Sequence, residues 1–218
     1  MIRSLLYFLA FVAFSVSAEQ TVIRNYEDAR DNYFYDQLYV GDTGESLYCG
    51  VKRPFLDTIG KRRSVEHVMA ADWMAEHFGC PNRNECANAT YKHAEGDLHN
   101  LWLAVKNINS SRSDHVFGET DDGQARFDYC PDFVRTYSPK PILVEPRDSV
   151  KGNIARTLFY MGDEYGFGLK GMTPMLKRWN RLDPPTEHEY WRNDRIFILQ
   201  GTRNRFIDNY YLGNSVPE

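Results

Sequence analysis

The chain has 218 residues, a formal net charge of −4, 42% apolar residues and 14% aromatics. That length suits one domain with a sizeable core, and the composition excludes a low-complexity or disordered chain. An acidic chain that handled polyanions would need a local basic surface, and charge is unevenly spread: acids dominate Glu19 to Tyr48, whereas Lys177 to Arg205 is basic.

The N-terminus carries Arg3, an apolar run from Leu5 to Val16, and small residues at Val16-Ser17-Ala18. This is the pattern of a signal peptide over residues 1–18, leaving one domain over 19–218. The apolar run is too short to span a bilayer comfortably. No later run suits a transmembrane helix, so no membrane partner is expected.

In chain order, Thr21 to Tyr39 reads as an aromatic-rich helix, and Ser46 to Val51 as a short strand. Lys61 to Val68 reads as extended, and Met69 to Phe78 has helical spacing. Gly79 to Gly96 reads as loop from its Pro, Asn and Cys content. Asp97 is a plausible N-cap for a helix through Leu98, Leu101, Trp102 and Val105, ending near Asn109. Asp148 or Ser149 can cap the strongest helix, whose apolar face is Val150, Ile154, Leu158, Met161 and Tyr165 and whose stop is Gly166. Helices over Met172 to Leu182 and Thr186 to Leu199 follow, separated by Pro184-Pro185. Many helices with a few short strands give an α+β, mostly helical domain.

Four cysteines remain after residue 18: Cys49, Cys80, Cys86 and Cys130. In an exported chain an even number suggests disulfides, with three possible connectivities for four cysteines. Cys80 and Cys86 can close a small loop, which would leave Cys49 with Cys130. No CxxC pair supports a four-cysteine zinc site.

The six histidines form no HExxH or HxxEH, and the chain has neither a GxSxG nor a phosphate-binding glycine loop. What stands out is Glu66-His67 followed by an amide-rich stretch from Asp97 to Arg112. This set suits phosphodiester hydrolysis. Glu66 and Asn109 offer hard oxygens of the kind magnesium takes when it keeps several waters. A histidine can take a proton from water near neutral pH. An arginine can grip phosphate with two donors.

Further segments carry a resemblance: Leu47-Tyr48-Cys49-Gly50, Val65-Glu66-His67-Val68, Asp97-Leu98-His99-Asn100-Leu101, Ile108-Asn109 with Arg112-Ser113, Gly152-Asn153-Ile154-Ala155-Arg156-Thr157, Tyr160-Met161, Glu164-Tyr165-Gly166-Phe167, and Arg195-Ile196 through Gln200-Gly201-Thr202-Arg203-Asn204. In this order the chain resembles the endonuclease I family of periplasmic and extracellular nucleases, which carry a ββα-metal (His-Me finger) site. The resemblance implies a metal-dependent, non-specific endonuclease making 5′-phosphate products. DNA is the expected main substrate and RNA a further one. Mg2+ is the expected ion, with Mn2+ or Ca2+ as substitutes.

By the same resemblance His67 is the general base, Glu66 and Asn109 hold the metal, and Arg83 contacts the scissile phosphate. Glu95 falls where the family has another active-site acid. His99 and Asn100 match the pattern and read as supporting residues. The pair Cys80 and Cys86, flanking Arg83, also recurs. Arg63, Arg112, Arg203 and Arg205 are the expected nucleic-acid contacts. The chain departs from the family at Ala70, Leu103, Lys106-Asn107 and Ser110-Ser111, so the frame around the ligands differs. Asn109-Ser110-Ser111 and Asn88-Ala89-Thr90 are glycosylation sequons, and a glycan on Asn109 would abolish metal binding. A bacterial periplasm or medium fits this, and a monomer is the expected state. Two other readings remain: a secreted nucleic-acid-binding protein with weakened catalysis, and a nuclease toxin.

Overall fold

The computed structural model describes residues 19–40, 44–52, 63–125, 127–138 and 140–218. The expected signal peptide lies outside these residues. Asn25 caps helix α1 (Tyr26–Ala29), its side chain accepting from the Asp28 N–H, and the chain runs on as a wider, π-type helix over Arg30–Leu38. The expected first helix is therefore present, but shorter at its start.

Strand β1 (Arg63–His67) pairs antiparallel with β2 (Leu101–Val105), Glu66 opposite Trp102 and His67 opposite Leu101. Between them lie α2 (Ala71–His77), a 3-10 turn (Arg83–Glu85) and α3 (Ala89–Glu95). Helix α4 (Lys106–Arg112) leaves directly from β2 and packs on β1. Strand, strand and helix make a ββα unit within an α+β, mostly helical molecule.

Three local expectations change here. Leu101 to Val105 is a strand rather than the middle of a helix. All five residues are buried, and a short run buried on both faces carries no period that separates strand from helix. Asp97 does not cap a helix: its Oδ1 accepts from the His99 N–H in a tight turn. The stretch read as loop holds α3, because Asn88 accepts from the Tyr91 N–H and acts as an N-cap, not a breaker. Leu103, which departs from the family, is a fully buried strand residue opposite Val65.

The expected strand over 46–51 is a turn. The Ser46 N–H donates to Val51 O at 2.8 Å and the Gly50 N–H to Ser46 O at 2.8 Å. Gly50 has φ +62°, a left-handed conformation that favours glycine, and it lies close beneath the Arg147 guanidinium. A small sheet of β3 (Val116–Phe117), β6 (Leu143–Glu145), β5 (Val134–Arg135) and β4 (Gln124–Ala125), in that order, adjoins this turn. Disulfides join Cys49 to Cys130 and Cys80 to Cys86.

The C-terminal third is helical. Helix α5 (Lys151–Tyr165) stops at Gly166, as its pattern predicts, and is buried on nearly every side. A 3-10 turn over Asp148–Val150 precedes it in place of a side-chain cap. Helices α6 (Thr173–Leu182) and α7 (Glu187–Gln200) pack around it, followed by α8 (Arg205–Asp208). Thr186 and Glu189 form a reciprocal capping box at the start of α7. Gly152 lets α5 approach the end of α6, since a Cβ would fall 1.9 Å from Asp183 O. Arg156 ties α5 to α7 by a two-pronged pair with Glu189, at 2.9 and 2.7 Å, and also donates to Asn180 and Asp183 O. No helix of the described residues is long and apolar enough to cross a membrane.

Candidate active site

A cavity of about 370 Å³ opens where β1 ends and α4 passes over it. Its wall includes Tyr26, Glu66, His67, Arg83, Lys106 and Asn109. Residues far apart in sequence meet here because the ββα unit brings the end of β1 and the face of α4 together.

Glu66 shares the β1 face covered by α4. It is buried, and the Tyr48 hydroxyl donates to its Oε1 at 2.7 Å. Arg112 Nε lies 3.5 Å from the same oxygen. Among the described residues Oε2 has no partner. Burial pushes the Glu66 carboxyl up to about 7, against the lowering effects of Arg112 and the Tyr48 hydrogen bond.

Asn109 completes the pair of oxygens. Its Nδ2 donates to Ser64 Oγ at 2.8 Å and to Val65 O at 2.9 Å. A carbonyl can only accept, so the nitrogen must face Val65 and the amide oxygen must face away from it. Asn109 is not a helix cap, because α4 continues to Arg112. One carboxylate oxygen and one amide oxygen, each without a protein partner, are hard donors that fit a largely hydrated divalent cation. Among the described residues no three His, Cys, Asp or Glu side chains gather to hold a metal, so a cation here would rest on few protein ligands.

His67 is buried at the strand end, with its ring 4.8 Å from that of Tyr26. Its Nε2–H donates to Glu95 O at 3.0 Å, the carbonyl being able only to accept. That bond fixes the tautomer and leaves Nδ1 with the lone pair. Burial first, then the cations Arg83 and Arg112, lower the imidazole to about 3, so it is neutral in the free protein. A phosphodiester anion brought beside it would act in the opposite sense.

Arg83 stands on the 3-10 turn inside the Cys80–Cys86 loop, where Asn82 accepts from the Asn84 and Glu85 N–H groups. Its guanidinium meets Glu95 Oε1 at 2.8 Å and lies over the Tyr26 ring. Glu95 thus serves twice: its carboxylate aims Arg83 and its carbonyl orients His67. Asn100, expected as a supporting residue, bonds both the N–H and C=O of Met69 and locks the exit of β1 to the entry of β2. His99 is buried away from the cavity, its Nε2–H donating to Thr202 O at 3.1 Å.

The expected nucleic-acid contacts fall in different places. Arg112 is a correction: it is 1% exposed and donates to His67 O, Val68 O and Ser113 O, so it braces the end of β1 from inside and offers no surface to a polyanion. Arg63 sits at the start of β1 over the Tyr35 ring. Arg203 pairs with Asp194 and Asp208, and Arg205 with Asp163. Neither of these two lines the cavity. Tyr26, Tyr48, Asp72, Lys106 and Asp114 are site residues that the sequence reading did not single out for a role. Two of them carried a signal: Tyr48 lies in a segment that matches the family, and Lys106 is a charged residue at a departure from its pattern.

Comparison with known proteins accounts for this arrangement. A family model described as Endonuclease I matches residues 25–210. An extracellular deoxyribonuclease of Aeromonas hydrophila is 32% identical over 202 residues, covering 88% of each chain. Endonuclease-1 of Buchnera aphidicola is 33% identical over 171 residues, covering 74% of this chain and 66% of that protein. An extracellular ribonuclease of Bacillus subtilis is 32% identical over 157 residues, 63% of this chain and 51% of that protein. This chain therefore spans just under two thirds of the Buchnera protein and about half of the Bacillus one. The family match takes in every cavity residue named above, and the chain belongs to the endonuclease I family.

Proposed function

We propose that this protein is a secreted or periplasmic endonuclease. In this reading it hydrolyses phosphodiester bonds of DNA, and of RNA as a further substrate, leaving 5′-phosphates. The observation that carries the reading is the shared cavity of His67, Glu66, Asn109 and Arg83, with one tautomer of His67 selected by Glu95 O. The names of the relatives, which include both deoxyribonucleases and a ribonuclease, support the substrate class and the exported location.

Glu66 Oε2 and Asn109 Oδ1 would hold the divalent cation, with Mg2+ the expected ion. When bound, such an ion neutralises charge growing on the phosphate and stabilises the leaving oxygen. His67 Nδ1 takes the proton from the attacking water. The ring is neutral in the free protein, so its Nδ1 is free to accept that proton, and an anionic phosphate nearby favours the resulting imidazolium. Arg83, held by Glu95, presents its remaining donors to a phosphate oxygen. Lys106, exposed on the rim and without an ion-pair partner among the described residues, adds a backbone contact. Contacts of this kind carry no base information, so cleavage is non-specific.

The test is plasmid cleavage by the purified protein with Mg2+, with chelator, and after adding metal back, followed by end-labelling of the products. Chelator-sensitive nicking with labelling only after phosphatase treatment is the expected result. Undiminished cleavage in chelator, or 5′-hydroxyl ends, would overturn it.

A further inference from the structure

We propose that Tyr48 is a positioning residue: it holds Glu66 by Oε1 and so reserves Oε2 for the cation. The inference rests on the metal reading of Glu66 above. It begins with how little freedom Tyr48 has. The residue is 1% exposed, with its ring 5.2 Å from Phe133 and 6.5 Å from Phe117. Its backbone is tied on both sides. The Leu47 N–H donates to Leu103 O of β2, and Arg147 Nε donates to Leu47 O. Cys49 is bonded to Cys130, whose sulfur lies 3.6 Å from Tyr48 O.

A ring so fixed leaves its hydroxyl one place to go, Glu66 Oε1 at 2.7 Å. This is the one hydrogen bond on the Glu66 carboxylate among the described residues. Arg112 adds charge at 3.5 Å, but its terminal nitrogens are spent on backbone carbonyls. With Oε1 anchored, the carboxylate cannot turn to offer the other oxygen without breaking that bond. An oriented oxygen with no protein partner, on a residue that lines the cavity, is what a cation with only two protein ligands needs, because nothing else in the site corrects a misplaced ligand.

Tyr48→Phe removes the hydroxyl and keeps the ring, so the packing against Phe133 and Phe117 survives. Mn2+ binding to the disulfide-intact protein without nucleic acid, read by electron paramagnetic resonance, measures the site apart from turnover. The expected loss of Mn2+ affinity is roughly 10- to 100-fold, the range for removing a group that orients a metal ligand. The Mg2+ concentration giving half-maximal plasmid cleavage should rise by the same factor, while the rate at saturating Mg2+ stays near wild type. Wild-type Mn2+ affinity in Tyr48→Phe, alongside lost binding in Glu66→Gln, would overturn the positioning role and leave the metal site standing. A lowered melting temperature with unchanged affinity would overturn it likewise, by showing a purely structural role. Undiminished binding in both Tyr48→Phe and Glu66→Gln would overturn the metal reading of Glu66 and this proposal with it.

Discussion

Two polar clusters of this molecule are bonded in different ways. In the helical layer, Asp97 accepts from the His99 N–H, Gln200, Tyr160 and Tyr165, and Arg156 closes a two-pronged pair with Glu189. Every oxygen of those carboxylates has a partner. In the ββα unit, Glu66 and Asn109 are anchored by one end only, and the other end is left without a protein partner. Buried polar groups normally find partners, since an unpaired one costs about 1–3 kcal/mol. Asp97 and Glu189, with every oxygen bonded, hold the fold, whereas Glu66 and Asn109 line the cavity and each keep an oxygen for something that binds.

The contrast is broken most severely at His67. His67→Ala should lower plasmid cleavage by a factor of roughly 100 to 10,000, the range for a lost general base. Duplex binding should persist, while the melting temperature should fall by a few degrees, because the buried ring and its bond to Glu95 O are lost. A variant that cleaves at the wild-type rate would remove His67 from the chemistry.

On the other side of the comparison, Glu189→Ala leaves Arg156 buried and uncompensated, which costs on the order of 3–5 kcal/mol. At ~2–4 °C per kcal/mol for a chain of this size, the melting temperature should fall by roughly 10 °C. Cleavage per folded molecule should be preserved at a temperature where the variant is still native. A loss of turnover without a loss of stability would show that the helical layer does more than hold the fold.

Asn109 sharpens the distinction. Asn109→Ala should abolish cleavage at low millimolar Mg2+ and weaken Mn2+ binding, while Asn107→Ala, two residues earlier and exposed, should do neither. The lost bonds to Ser64 and Val65 should cost only about 1–2 kcal/mol of stability. Full activity of Asn109→Ala across a Mg2+ titration would place the metal elsewhere.

The smallest expected effect is at the rim. Lys106→Ala should reduce the slope of log affinity against log salt, measured on a non-cleavable duplex, by about one unit. Arg203→Ala should change it less, because its guanidinium is already paired with two aspartates. The reverse order would move the nucleic-acid path toward the C-terminal helices.

The helices that the hydrophobic period predicts after Asp148 lie within a residue or two of their expected bounds. There the pattern is long, capped by Thr186 and stopped by Gly166. The segment from Asp97 to Asn109 behaves differently. Leu101 to Val105 is a short apolar run whose identity as a strand depends on pairing with residues 63–67, and no local signal records that pairing. Asn88 shows the same limit on a smaller scale, since an asparagine before a helix and an asparagine in a loop look alike until the helix forms.

The sequence by itself determined the chemistry on offer: a carboxylate next to a histidine, an asparagine in an amide-rich stretch, an arginine between two cysteines, and the family these motifs resemble. Those are properties of residue identity and order. Tertiary structure alone decided which atoms do what. It turned Arg112 inward to brace β1, gave Glu95 a second use through its carbonyl, chose the free nitrogen of His67, and set Tyr48 against Glu66 across the fold. Each of these depends on which buried donor finds which acceptor. That is settled by packing between distant segments, because a hydrogen bond in the interior is worth making only where both partners have already been taken out of water.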